Sequence, residues 1–111
     1  MKPISFSDRD LEGVMSLIKD AERRETSAFG TELRTYCNRL EGEDAIWELG
    51  RIIQYKQKTM NLRNTNPNKG LVIARLLGEG WLEPEDLFFL PKEQQALIIS
   101  EAEMWKNSDE D

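Results

Sequence analysis

Histidine is absent from this 111-residue chain, and cysteine occurs only once, as Cys37. Without histidine, the chain has no Ser-His or Cys-His nucleophile pair and no metal site built on an imidazole. A single cysteine forms neither an intramolecular disulfide nor a four-cysteine zinc or iron–sulfur site. A Gly-rich phosphate loop and the calcium-loop spacing of carboxylates are also absent. We therefore expect no catalytic residues, no metal site and no cofactor; a carboxylate-dependent enzyme is the third-ranked alternative.

Long apolar runs are missing as well. The longest ones, such as 71–74, hold only a few residues, whereas a helix that spans a bilayer needs roughly 20. The first residues, 1–6, lead into charged positions and lack the apolar centre of a secretory signal. The sequence therefore predicts a cytoplasmic protein that does not cross a membrane.

Apolar residues recur at helical spacing along most of the chain, and turn-forming residues separate these segments. Ser7 fits the N-cap of the first helix, Asn66 and Pro67 fit the start of an apolar central helix, and Asn-rich 61–68 fits the longest loop. A buried strand is the alternative for the apolar segment. The predicted helices lie at about 8–24, 28–41, from the acidic pair 43–44 to Asn61, over 71–77, and at about 84–89 and 91–106.

These elements predict an all-α fold, because no run of alternating β-branched and polar residues indicates a hairpin. We expect a single compact domain of about five or six short helices, orthogonal or bundle-like, over residues 1–106. Residues 107–111 should form an acidic, disordered tail.

Charge is unevenly distributed along the chain. The net charge is −6, from 15 basic and 21 acidic residues. By segment it is −4 over 1–50 (7 basic, 11 acidic), +6 over 51–78 (6 basic, none acidic) and −8 over 79–111 (2 basic, 10 acidic). The basic segment either forms a patch for phosphates or an acidic protein, or pairs with acidic helices of the same domain. The candidate patch residues are Arg51, Lys56, Lys58, Arg63 and Lys69.

Three further residues are candidates for a protein interface. Trp81 follows a helix stop and is our candidate for an exposed aromatic anchor. Glu101 falls on the apolar side of the last helix, beside Trp105, so it either pairs with a neighbouring cation or sets the register against another chain. Apolar residues nearly all round this helix favour a homodimer.

Cys37 shares a face with apolar residues and should be a buried, inert thiol.

Together these features predict a non-enzymatic protein-interaction or regulatory module, an adaptor or inhibitor that binds another protein through charged and aromatic surface. The alternative is a regulator that binds nucleic acid through the basic segment 51–75. The acidic net charge argues against that alternative, because it opposes the approach of a polyanion.

Overall fold

The computed structural model describes the backbone of residues 1–109 and the side chains of residues 1–107. Within this range it contains four α-helices, one 3₁₀ helix and no strand. The α-helices are α1 (Asp8–Cys37), α2 (Ala45–Asn64), α3 (Lys69–Gly78) and α4 (Lys92–Asp109), and the 3₁₀ helix Pro84–Leu87 lies between α3 and α4. The predicted all-α class is confirmed, with fewer and longer helices than the expected five or six.

Helix α1 accounts for most of this difference, because it joins the two helices predicted at 8–24 and 28–41. Its start is as expected, since the Ser7 hydroxyl accepts a hydrogen bond from the Asp10 amide at 3.2 Å. Nothing between the two segments breaks a helix: the intervening residues include no proline, and Glu25 is turned inward. The helix ends at Cys37, and Gly42 takes its left-handed conformation (φ 92°) in the loop that follows.

The predicted loop at 61–68 is shorter than expected. Helix α2 continues to Asn64, and α3 begins with Asn68 as its N-cap instead of Asn66. The Asn68 side chain accepts from the Leu71 amide at 3.2 Å, while the Asn66 side chain accepts from the Asn68 amide at 2.9 Å. The connection is therefore 65–68, and the loop 38–44 is longer.

The core confirms α3 as the central element and as a helix, which excludes the strand alternative. Val72, Ile73, Ala74 and Leu76 of α3 are buried. They pack against residues of α1, the 3₁₀ helix, α4 and the connections between them, namely Val14, Ile18, Ala21, Leu82, Leu87, Leu90 and Ile98. We call this packed region, residues 1–25 and 69–109, the head.

Residues 26–64 extend from the head, and we call them the arm. Helix α2, the larger part of the arm, contributes no apolar residue to the buried core; its one buried side chain is Arg63. The described chain accordingly measures 54 × 31 × 22 Å, more elongated than the compact bundle that the short predicted helices suggested.

The C-terminal residues and the domain limits remain a prediction. Helix α4 runs to Asp109, so it includes the first residues of the expected tail 107–111, and residues 110–111 lie outside the described part. No helix in the described range is both long and apolar enough to span a bilayer.

Close packing of α3 on α4 makes Gly78 sensitive to substitution. A Cβ at this position would lie 2.8 Å from the Ala102 carbonyl oxygen, and that backbone atom cannot move without shifting α4. We expect Gly78→Ala to lower the free energy of unfolding by about 1–3 kcal/mol in urea denaturation followed by circular dichroism.

Gly30→Ala is the matched control, because nothing lies within 4 Å of a Cβ built at Gly30, two turns before the end of α1. This substitution should raise stability by up to about 1 kcal/mol through helix propensity. Equal effects of the two substitutions would contradict the described packing of α3 on α4.

Candidate functional site

A network of charged side chains, with a buried pair at its centre, joins the arm to the head. Glu25 of α1 and Arg63 of α2 are only 3% and 5% exposed, and the Arg63 guanidinium donates to both oxygens of the Glu25 carboxylate. Arg63 Nη1 also donates to Glu79 Oε2 at 2.7 Å, which ties it to the end of α3. Lys56 Nζ donates to Glu25 Oε2 at 2.8 Å. Four charged side chains from three elements thus satisfy one another.

These contacts set the ionisation of Glu25. Burial raises the pKa of the Glu25 carboxyl. The hydrogen bonds and positive charges of Arg63 and Lys56 together lower it by more, so the net pKa lies below its ordinary value. Glu25 is therefore ionised at neutral pH, as the pairing with two cations requires.

The candidate basic patch is divided by the fold. Lys56 and Arg63 are both engaged with Glu25, and Lys69 Nζ donates to the Asn64 carbonyl at 2.9 Å across the 65–68 connection. Arg51 and Lys58 are exposed and form no ion pair with described residues. The cations of the predicted patch are thus not presented together, and two of them remain available on α2.

The three candidate interface residues lie in the head and make contacts within the chain. Trp81 is half-buried against the core, and its carbonyl accepts from Arg24 at 2.9 Å. The guanidinium of Arg75 lies 4.8 Å from the centre of the Trp105 ring. The Glu101 carboxylate is 3.9 Å from the Met1 amino nitrogen, which corresponds to the cation-pairing alternative. Their role in an interface remains a prediction.

The most exposed apolar residues lie at other positions than these three candidates, and the sequence analysis did not identify them. Trp47 on α2 is 71% exposed, and Phe88 after the 3₁₀ helix is 81% exposed. The signal for α2 was present, because its apolar residues are spread around the helix instead of forming one stripe. Cys37 is also exposed, contrary to the expected buried thiol, because α1 ends there, beyond the reach of the head core.

Helix α2 presents two exposed sides besides the one that faces α1. We call the first the uncharged stripe; it consists of Ile46, Gly50, Ile53 and Gln57, which recur at helical spacing. Ile53 and Gln57 also line a shallow groove against Phe29 of α1. We call the second the aromatic–cationic stripe, which consists of Trp47, Arg51, Tyr55, Lys58 and Leu62, all exposed.

A head that contains the buried core and carries a helical arm with exposed apolar side chains defines a helical protein-interaction module. Residues 6–102 match the model of a family described as the photoprotection regulator fluorescence recovery protein. The chain belongs to this family, which consists of regulators and not enzymes. The expectations of a non-enzymatic protein and of a regulator are therefore confirmed.

Solved structures show the same fold. The fluorescence recovery protein of Fremyella diplosiphon is 24% identical, with a TM-score of 0.76 over 89% of this chain and 99% of that one. The protein of Synechocystis sp. PCC 6803 is 22% identical, with a TM-score of 0.73 over 83% of this chain and 97% of that one. An arginine-to-lysine mutant of the Synechocystis protein gives a TM-score of 0.72 at the same identity and coverage. A comparison with curated proteins gives no match.

The buried network predicts a specific dependence of stability on pH. Replacing Glu25 with Gln removes the carboxylate and leaves Arg63 and Lys56 without it, so we expect the free energy of unfolding at pH 7 to fall by about 3 kcal/mol. The folded-state pKa of Glu25 lies below its unfolded value, so this stabilisation is present above the unfolded pKa and is lost as the pH falls through the folded pKa. The difference between wild type and Glu25→Gln should therefore shrink below about pH 4.

The matched control is Glu22→Gln, one turn earlier on α1, where the side chain is exposed and forms no ion pair with described residues. Urea denaturation of both variants between neutral and acidic pH gives the comparison. A loss for Glu25→Gln no larger than for Glu22→Gln, or one that is independent of pH, would contradict the network.

Proposed function

We propose that this chain regulates photoprotection by binding the orange carotenoid protein, the partner with which the fluorescence recovery protein family interacts. The observation that carries this proposal is the family match over residues 6–102, which includes the arm and most of the head. Exposed apolar side chains on a rigid helical frame supply the surface that such binding needs.

Phe88 is the side chain best placed to anchor a protein partner on the head. It is 81% exposed, more than any other large apolar residue of the described chain. Its ring packs edge-to-face on Phe89, with the ring centres 5.9 Å apart. The Phe89 ring lies so close to Gly13 of α1 that a Cβ there would be 2.5 Å away. Phe89 thus fixes one side of the Phe88 ring, and the rest of the ring is open to a partner.

We expect Phe88→Ala to weaken binding to the purified orange carotenoid protein at least about tenfold, because buried aromatic anchors contribute most of the energy at interfaces. Isothermal titration calorimetry measures the affinity. Leu97→Ala, at an apolar residue of the head that is 57% exposed, is the control and should change the affinity less than about threefold.

This experiment tests the role of Phe88 and the identity of the partner independently. An unchanged affinity in Phe88→Ala would remove Phe88 from the interface and leave the proposed partner in place. Failure of the wild-type chain to bind the carotenoid protein at all would refute the proposed function itself.

The uncharged stripe of α2 suits a second copy of the chain, and we propose that it forms a homodimer. Ile46 and Ile53 are 68% and 40% exposed, and no charged residue belongs to the stripe, so pairing brings no like charges together. Gly50 has no atom within 4 Å of a built Cβ, which leaves room for another helix to approach closely. A two-fold interface then buries the same apolar residues on both copies.

Ile53→Glu should convert the dimer to a monomer, because pairing would bury two uncompensated carboxylates. We expect the dissociation constant of the dimer to rise at least about 100-fold in sedimentation velocity over a range of concentrations. Thr59→Glu adds the same charge on another side of α2 and should leave the dimer intact. A wild-type chain that sediments as a monomer up to about 100 μM would disprove the homodimer, because any association would then be weak.

A further inference from the structure

The aromatic–cationic stripe of α2 has no role in the contacts described so far. Trp47, Tyr55 and Leu62 are 71%, 72% and 66% exposed, and Arg51 and Lys58 lie between them along the helix. At the angular step of an α-helix, this stripe is centred roughly 130° around the axis from the uncharged stripe. The two sides can therefore be covered by different partners at the same time.

The positive charge of this stripe is not neutralised within the chain. Arg51 and Lys58 form no ion pair with described residues, unlike Lys56 and Arg63 on the side that faces α1. The one acid of α2, Glu48, lies beside the Tyr36 phenol of α1; desolvation and this neighbouring carboxylate together raise the pKa of Tyr36. Glu48 is thus engaged with α1 and is not paired with Arg51.

A second copy of the chain is a poor occupant for this stripe. In an antiparallel two-fold pairing centred on the stripe, Arg51 of each copy would lie opposite Lys58 of the other. A parallel pairing would set each cation against itself. Like charges opposed across an interface cost several kcal/mol, so self-association is directed to the uncharged stripe.

The chemistry of the stripe also favours a protein over a nucleic acid as its partner. Two free cations spaced along a helix are few for a phosphate backbone, on a chain whose net charge is −6. Three large apolar side chains on the same side instead require an apolar surface to cover them. An occupant that is both apolar and acidic satisfies the two requirements together.

We propose that the aromatic–cationic stripe docks an acidic amphipathic helix of another protein. Apolar residues of that helix pack on Trp47, Tyr55 and Leu62, while its carboxylates pair with Arg51 and Lys58. The stripe runs about 22 Å along α2, so the docked segment spans about 15 residues if it is helical. This site lies on the arm, away from Phe88, and goes beyond the function proposed above.

The probe for this site is a synthetic, fluorescein-labelled helical peptide in which leucines form one face and glutamates flank it. A matched peptide carries glutamine in place of glutamate. We expect the glutamate peptide to bind the full-length chain in fluorescence anisotropy at about 50 mM salt, and to bind at least about tenfold more weakly at about 300 mM. The glutamine peptide should bind at least about tenfold more weakly at low salt.

The double variant Arg51→Glu/Lys58→Glu should lose the same tenfold or more in affinity for the glutamate peptide. The control Lys19→Glu/Arg34→Glu makes the same change in net charge at two exposed cations of α1 and should stay within about threefold of wild type. A peptide with lysine in place of glutamate should bind the stripe variant better than it binds wild type, which a merely misfolded variant would not do.

Four results would overturn the proposal. The first is no binding of the glutamate peptide by the wild-type chain at low salt, and the second is equal binding of the glutamate and glutamine peptides. The third is a changed sedimentation coefficient of Arg51→Glu/Lys58→Glu alone, which would assign the stripe to self-association. The fourth is displacement of the peptide by a single-stranded oligonucleotide that binds more tightly through the same cations, which would identify a phosphate site.

Discussion

The ion network around Glu25 is the interaction on which the position of α2 against the head depends. Helix α2 contributes no apolar residue to the core, so hydrophobic burial does not hold it to the head. Arg63 instead connects Glu25 of α1 with Glu79 at the end of α3, and Lys56 adds a second cation. A guanidinium that must satisfy two carboxylates has far fewer acceptable positions than an apolar side chain, which can slide against its neighbours.

This way of attaching α2 has a direct consequence for the surface of the molecule. Because the contact with the head uses charged side chains, no apolar residue of α2 is fully buried, and only Leu49, Ile52 and Met60 among its large apolar residues are half-buried. Ile46 and Ile53 on one side, and Trp47, Tyr55 and Leu62 on another, stay exposed. In an ordinary amphipathic helix such residues form one stripe that faces the core. Here the buried core lies in the head, and α2 keeps two sides with exposed apolar residues.

The fold of this chain is shared with solved structures of low sequence identity. Proteins only 22–24% identical share the fold with TM-scores of 0.72–0.76, as expected when a pattern of buried apolar positions determines the architecture. Surface residues are under no such constraint. The assignment of Phe88, the uncharged stripe and the aromatic–cationic stripe to partners therefore rests on the exposure and charge of these residues in this chain.

The sequence by itself determined the helical class, the capping of α1 by Ser7, the apolar central helix and the absence of histidine-based chemistry. Each of these follows from local spacing or from composition. Only the tertiary structure decided that 8–37 is one helix, that Arg63 and Lys56 are engaged while Arg51 and Lys58 are free, and that Trp47 is exposed while Trp81 is half-buried. The reason is that a cation is neutralised, or an aromatic ring covered, by whichever elements pack against it. Glu25 and Arg63 are 38 positions apart, and periodicity within a single helix carries no information about which distant residues meet.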